Sequence, residues 1–146
     1  VLDFNPAAFK PSEYWPVFQR AYYAAQALGI AAKTHDAMFD AVWKTGQLST
    51  VDQATGRLRD PLPSLEDVAR WYHRQTGVAT QKILDTANSF SVNVRMRRAD
   101  QYIQACQVDG TPTIIVNGKY RLGPSTAGGY NQTIELVKWL VAKESQ

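Results

Sequence analysis

Apolar residues recur at three- and four-residue spacing over most of the chain, the mark of amphipathic helices. Trp15, Phe18, Tyr22 and Ala25 form the stripe of a helix predicted from Pro11 and Ser12 to about Leu28, with Gly29 as its C-cap. Pro16 is tolerable there only in the first turn. A second helix is predicted from about Ala32 to Lys44, with Met38, Phe39, Val42 and Trp43 as its stripe and Gly46 closing it. Asp52, Gly56, Asp60, Pro61 and Pro63 break the pattern, so residues 49–63 read as a loop. Ser64 with Asp67 resembles a capping box, Asp standing in for the usual Glu. It opens a helix burying Leu65, Val68, Ala69 and Tyr72, which stops at Gly77. Thr80 caps a short helix with Ile83, Leu84 and Ala87 inward, and Ser91 starts a longer one with Val92, Met96, Ala99, Ile103 and Cys106 on one face.

The periodicity then changes. Thr113 to Val116 is a β-branched run that reads as a buried strand. Asn117-Gly118 signals a tight hairpin, because a type I′ turn needs positive φ at both central residues. Lys119 to Leu122 is then the returning strand, and Tyr130, Ile134, Val137 and Val141 form the face of a last helix. Val1 to Phe4 reads as the end of a strand, stopped by Asn5-Pro6. Two or three strands cannot cover this many helices in an ordinary α/β layer, so the helices from about Ser12 to Cys106 read as an insertion between strands of one sheet.

Composition adds bounds. The 146 residues are 45% hydrophobic and 20% charged, which excludes disorder and fits one domain carrying an insertion. A net charge of +3 is no nucleic-acid footprint, and Arg95, Arg97 and Arg98 read as a solvated face. No stretch approaches the roughly 20 apolar residues of a membrane span. The first residues show neither a basic leader nor a long apolar run. Their abrupt apolar start reads as something other than a natural terminus.

The chain has one cysteine, Cys106. An intramolecular disulfide, a zinc site of several thiolates and a two-cysteine redox cycle are all excluded within these residues. Its place on a helical stripe reads as a small buried hydrophobe. His35 and His73 sit on different predicted helices without a partner at metal spacing, so no metal is expected. Asn131-Gln132-Thr133 matches the glycosylation pattern but falls in a helix. Trp15, Trp43, Trp71 and Trp139 fall on or beside stripes and read as packing residues.

Gly110-Thr111-Pro112-Thr113, followed by Ile114-Ile115-Val116-Asn117-Gly118-Lys119-Tyr120, resembles the thioredoxin superfamily and more closely the DsbA family of periplasmic thiol:disulfide oxidoreductases. Arg20 to Gly29 and Met38 to Trp43 resemble the first helices of that family's inserted domain. The resemblance implies a thioredoxin-like α/β fold with a helical insertion, here incomplete. A partial thioredoxin-like domain would comprise residues 1–11 plus 107–146, and the helical insertion residues 12–106. It implies a cis Thr111–Pro112 bond, whereas local sequence alone favours trans, since only about 5–6% of such bonds are cis. It also implies that Thr111, before the proline, pairs backbone to backbone with an extended substrate, and that Leu122 to Tyr130 flank the peptide groove. The implied partners are reduced exported polypeptides and a membrane reoxidase, the implied location is the periplasm, and no cofactor is needed.

The family's Cys-x-x-Cys, the helix and strand that carry it, and a buried acidic residue beneath it lie before the insertion, and this chain lacks them. The expectation is therefore part of a DsbA-like enzyme, seen without its catalytic cysteines. The alternative is a redox-inactive peptide- or partner-binding module. A weaker third reading is a relative of the isomerases and glutathione transferases that share a thioredoxin fold with a helical insertion. Without the central strand, Thr113 to Val116 would present an open edge, so a strand-paired or swapped dimer, or a retained fragment, is expected there.

Overall fold

The computed structural model describes residues 4–9 and 14–145. The order is α1 (Trp15–Ala27), α2 (Ala31–Trp43), α3 (Leu65–Thr76), α4 (Thr80–Ala87), α5 (Phe90–Ala105), β1 (Ile114–Val116), β2 (Tyr120–Leu122), α6 (Pro124–Ala127) and α7 (Tyr130–Glu144). The predicted strand end at Val1 to Phe4 falls largely on residues 1–3, outside the described residues, and Phe4 is in irregular backbone. The predicted start of the first helix at Pro11 and Ser12 also lies outside them. The chain divides into two compact units, Val1–Ala99 and Asp100–Gln146, and the division falls within α5.

The first unit is helical. α3 is its hub, burying Val68, Ala69, Trp71 and Tyr72. Ala21 and Ala25 of α1, Ile30, Ala41 of α2, Leu48 and Ile83 of α4 complete the cluster, with Val17, Phe18 and Met38 among the residues packed against it. The N-terminus of α3 is the capping box expected from sequence: the Asp67 N–H donates to Ser64 Oγ (3.1 Å), and the Ser64 N–H donates to Asp67 Oδ2 (2.8 Å). Two helical donors are thus satisfied reciprocally. The Ser64 N–H, then the Ser64 hydroxyl that also donates to Asp67 Oδ2 (2.8 Å), lower the Asp67 pKa. At the other end Gly77 adopts φ +76°, the left-handed cap that ends a helix with little strain only in glycine. A smaller cluster joins Tyr23 of α1 to Val92 and Ala99 of α5. Arg20 ties three helices together, its Nη1 donating to the Ala87 carbonyl (2.8 Å) and to Asn93 Oδ1 (2.7 Å).

The second helix departs from expectation. α2 buries Thr34 and Ala41, with Met38 and Val42 partly covered, whereas Phe39 and Trp43 are exposed. At 100° per residue Phe39 and Trp43 point away from the Thr34–Met38–Ala41 stripe, so they meet other rings. Trp43 packs edge-on to Trp15 (6.3 Å between centroids) and Phe39 lies against His35 (5.2 Å). Phe4 closes on Tyr22 (4.9 Å) and on His35 (4.8 Å).

In the second unit β1 and β2 form an antiparallel ladder pairing Ile114 with Leu122, Ile115 with Arg121 and Val116 with Tyr120. Asn117 and Gly118 both have positive φ, 51° and 66°, as the hairpin signal requires. The Lys119 N–H closes the turn on the Val116 carbonyl (3.0 Å), so Lys119 belongs to the connection and the returning strand starts at Tyr120. Among the described residues this sheet has two strands, so β1 keeps one edge without a strand partner.

α7 also differs from its predicted face. Val116, Leu122 and Leu140 form the core, with Ile114, Tyr120 and Val137 beside them, and Thr133 is buried as well. Of the predicted stripe, Tyr130 (69% exposed), Ile134 (51%) and Val141 (50%) face outward and Val137 alone packs inward. A two-stranded sheet is too narrow to cover the full width of the stripe. Cys106 is the other departure: α5 stops at Ala105, one residue before it, and the thiol is half-buried rather than enclosed.

Candidate peptide-docking site

The site grows out of the hairpin. Beyond the Ile114–Leu122 pair the chain preceding β1 runs back through Thr113, Pro112 and Thr111. Thr113 Oγ1 donates to the Gly110 carbonyl (2.6 Å), which fastens the loop across its own base. The Thr111–Pro112 peptide is cis, as is Asp60–Pro61 in the first unit. Thr111 and Pro112 are both exposed. Arg121 Nη1 of β2 donates to the Cys106 carbonyl (3.3 Å), tying the stretch after α5 to the hairpin. The segment from Leu122 to Tyr130, expected to flank the loop, contains the end of β2, the short α6 and two positive-φ glycines, Gly128 and Gly129.

The hairpin tip is anchored by a residue that sequence reasoning did not single out. The Glu144 carboxylate, at the C-terminal end of α7, accepts from Asn117 Nδ2 (2.6 Å), Lys119 Nζ (2.6 Å) and the Tyr120 hydroxyl (3.2 Å). Lys143 Nζ lies over the rings of Trp139 (5.1 Å) and Tyr120 (5.8 Å). No spacing rule links position 144 to 117–120, so only the folded register reveals the cluster. The hydrogen bond from Lys119, then that from Asn117, holds the Glu144 pKa at about 2, below its ordinary 4.5. Because the folded-state value is the lower one, the contribution to stability is present above about 4.5 and is lost as pH falls toward about 2. Thermal melts from pH 5 down to pH 2 are therefore expected to show a steeper acid-dependent loss in the wild type than in Glu144→Gln, which keeps only the share due to other carboxylates such as Asp67. Equal slopes in the two proteins would contradict the assignment.

Chemically, the loop offers backbone groups. Thr111 is exposed, and backbone hydrogen bonds to an extended peptide are one mode in which a loop of this kind supplies affinity. No cluster of three or more His, Cys, Asp or Glu able to hold a metal ion occurs among the described residues. Cys106 lies beside Tyr102, whose pKa is raised by burial and by the neighbouring thiol. His35 and His73 stay apart from the loop in sequence and in role: His35 sits among rings, and His73 Nδ1 meets the Val78 carbonyl (2.9 Å) just past α3. Arg95, Arg97 and Arg98 are exposed, as expected.

A helical segment followed by a Thr–Pro loop, a hairpin and a helix places the chain in the thioredoxin-like α/β class with a helical insertion. Comparison with known proteins narrows the class. The model of the DSBA-like thioredoxin domain matches residues 5–134. The thiol:disulfide interchange protein DsbA of Pseudomonas aeruginosa is 32% identical over 130 residues, 89% of this chain and 55% of that protein. The crystal structure of the oxidoreductase DsbA from Xylella fastidiosa superposes with a TM-score of 0.80 at 29% identity, over 98% of this chain and 68% of that one. A DsbA from Proteus mirabilis, solved with the non-covalently bound peptide PWATCDS, shares the fold at a TM-score of 0.65 and 20% identity, over 86% of this chain and 63% of that one. The chain belongs to the DSBA-like thioredoxin domain family. It spans about half the length of the curated relatives it matches, and its 146 residues contain one cysteine and hence no Cys-x-x-Cys.

Proposed function

We propose that this chain is the helical and peptide-docking part of a thiol:disulfide oxidoreductase that introduces disulfides into reduced exported polypeptides in the periplasm. Its Cys-x-x-Cys lies in polypeptide preceding Val1. In that enzyme a substrate thiolate attacks the enzyme disulfide, giving a mixed disulfide and releasing one enzyme thiolate. The substrate's second thiolate then displaces the enzyme sulfur, so the substrate leaves oxidised and the enzyme is left as a dithiol for a membrane reoxidase. A helix N-terminus favours the thiolate of the first cysteine and makes it a good leaving group. This chain's own contribution is to hold the substrate backbone at Thr111–Pro112 while sulfur exchange proceeds. In this reading residues 1–11 and 107–146 form the thioredoxin-like part and residues 12–106 the insertion.

The observation that carries the proposal is the exposed Thr111–Pro112 loop at the entry to β1, in a chain matched by the family model over residues 5–134. The same match favours the oxidoreductase over a redox-inactive binding module. The open edge of β1 takes a strand of the preceding polypeptide, or, when the chain is alone, a strand-paired or swapped second copy that sedimentation would register as a dimer.

The peptide PWATCDS serves as probe. Titrating it into the chain is expected to shift the amide resonances of Thr111, Thr113 and residues 123–130. Thr111→Pro, which removes one backbone donor, is expected to weaken binding about tenfold, the value of roughly one hydrogen bond. Shifts confined to other surfaces, or T111P binding as the wild type does, would sink the docking assignment.

A further inference from the structure

The geometry points to Gly123 as a positioning residue for the peptide-docking loop: it sets where the Pro112 carbonyl lies. The inference rests on the docking role proposed for Thr111–Pro112. Leu122 pairs with Ile114, so Gly123 is the first residue of its strand line beyond the ladder, alongside the loop that leads into β1. A Cβ at Gly123 would lie 2.8 Å from the Pro112 carbonyl oxygen. That is a clash with backbone, which no side-chain rotation relieves.

Gly123 is not required there for its torsions. Its φ of −162° and ψ of 177° are extended backbone open to any residue. Space is what makes glycine necessary. Nor can residue 123 easily step back. Its N–H donates to Thr126 Oγ1 (3.0 Å), and its carbonyl accepts from the N–H groups of Thr126 (3.0 Å) and Ala127 (2.9 Å), fixing it as the N-cap of α6. Pro112 faces a wall whose distance is set by the absence of a side chain. A methyl group at position 123 must therefore push the Pro112 oxygen away, and with it the adjoining Thr111 main chain that pairs with peptide.

The tests are Gly123→Ala and the double variant G123A/T126V. Thr126→Val removes the acceptor for the residue 123 N–H and lets that residue recede. In G123A the crystal structure is expected to show the Pro112 oxygen displaced, and affinity for PWATCDS to fall about tenfold, on the scale of one lost backbone hydrogen bond. The double variant is expected to recover part of that affinity, a coupling that general destabilisation would not produce. An unmoved Pro112 oxygen with wild-type affinity in G123A, or an equal loss in the single and double variants, overturns the role of Gly123. A wild-type chain that fails to bind PWATCDS sinks the docking reading instead. The position of the Pro112 oxygen in G123A then still decides the inference: displaced supports it, unmoved overturns it.

Discussion

The 146-residue chain is expected to show no turnover in an insulin-reduction or thiol-oxidation assay. Turnover needs two sulfurs on the enzyme: as a disulfide they are the oxidant that a substrate thiolate attacks, and as a dithiol one attacks a substrate disulfide and the other resolves the mixed disulfide. The chain has Cys106 alone. That thiol is half-buried, one residue past the end of α5 and in side-chain contact with Tyr102. A reactive thiolate needs an electropositive and accessible setting. The rate with the chain present should equal the background rate, and Cys106→Ser should leave it unchanged. A polypeptide carrying Cys-x-x-Cys ahead of Val1, followed by the same 146 residues, should turn over in the same assay. Turnover by the chain alone that disappears in C106S would overturn both the inert reading of Cys106 and the placement of the chemistry upstream.

Trp71→Ala should be the most damaging single change to the stability of the helical unit. Trp71 is 2% exposed and is the largest of the fully buried side chains. Its ring lies edge-on to Tyr72 (5.3 Å) in the cluster that joins α1, α3 and α4. Truncating a buried tryptophan costs about 3–5 kcal/mol, part lost transfer energy and part residual cavity. Against a typical total of about 5–15 kcal/mol, that is a large share of the folding free energy. Urea unfolding followed by far-UV circular dichroism measures it. Trp43→Ala is the matched control: Trp43 is 56% exposed, and losing its edge contact with Trp15 should cost about 1 kcal/mol. Similar costs for the two substitutions would show that α3 is not the hub of this unit.

What could be read from sequence divides along a physical line. The capping box at Ser64 and Asp67 and the Asn117-Gly118 turn were legible because their causes are local: a side chain reaching its own helix terminus, and two residues that tolerate positive φ. The faces of α2 and α7 were not. Both helices carry apolar residues around more than half of their circumference, and which of them are buried depends on neighbours that periodicity cannot see. Thus Phe39, Trp43, Ile134 and Val141 read as core and lie outside it. Thr111 and Pro112 came from resemblance, since nothing local separates Pro112 from the other prolines. The Glu144 anchor and the approach of Gly123 to Pro112 join residues 24 or more and 11 positions apart, respectively. Only register and helix placement bring such residues together.

Both units carry tryptophan, some of it enclosed and some of it solvated. Trp15, Trp43 and Trp71 all belong to the first unit, and Trp139 is the single tryptophan of the second. Trp139 is 58% exposed and has the Lys143 ammonium over its ring. Its emission is therefore red and responsive to the hairpin anchor, as red as that of the exposed Trp43 in the first unit, whereas the enclosed indole of Trp71 emits to the blue. With Trp15→Phe and Trp43→Phe in place, the enclosed Trp71 and the solvated Trp139 would report on the two units separately in one cuvette, with no label attached.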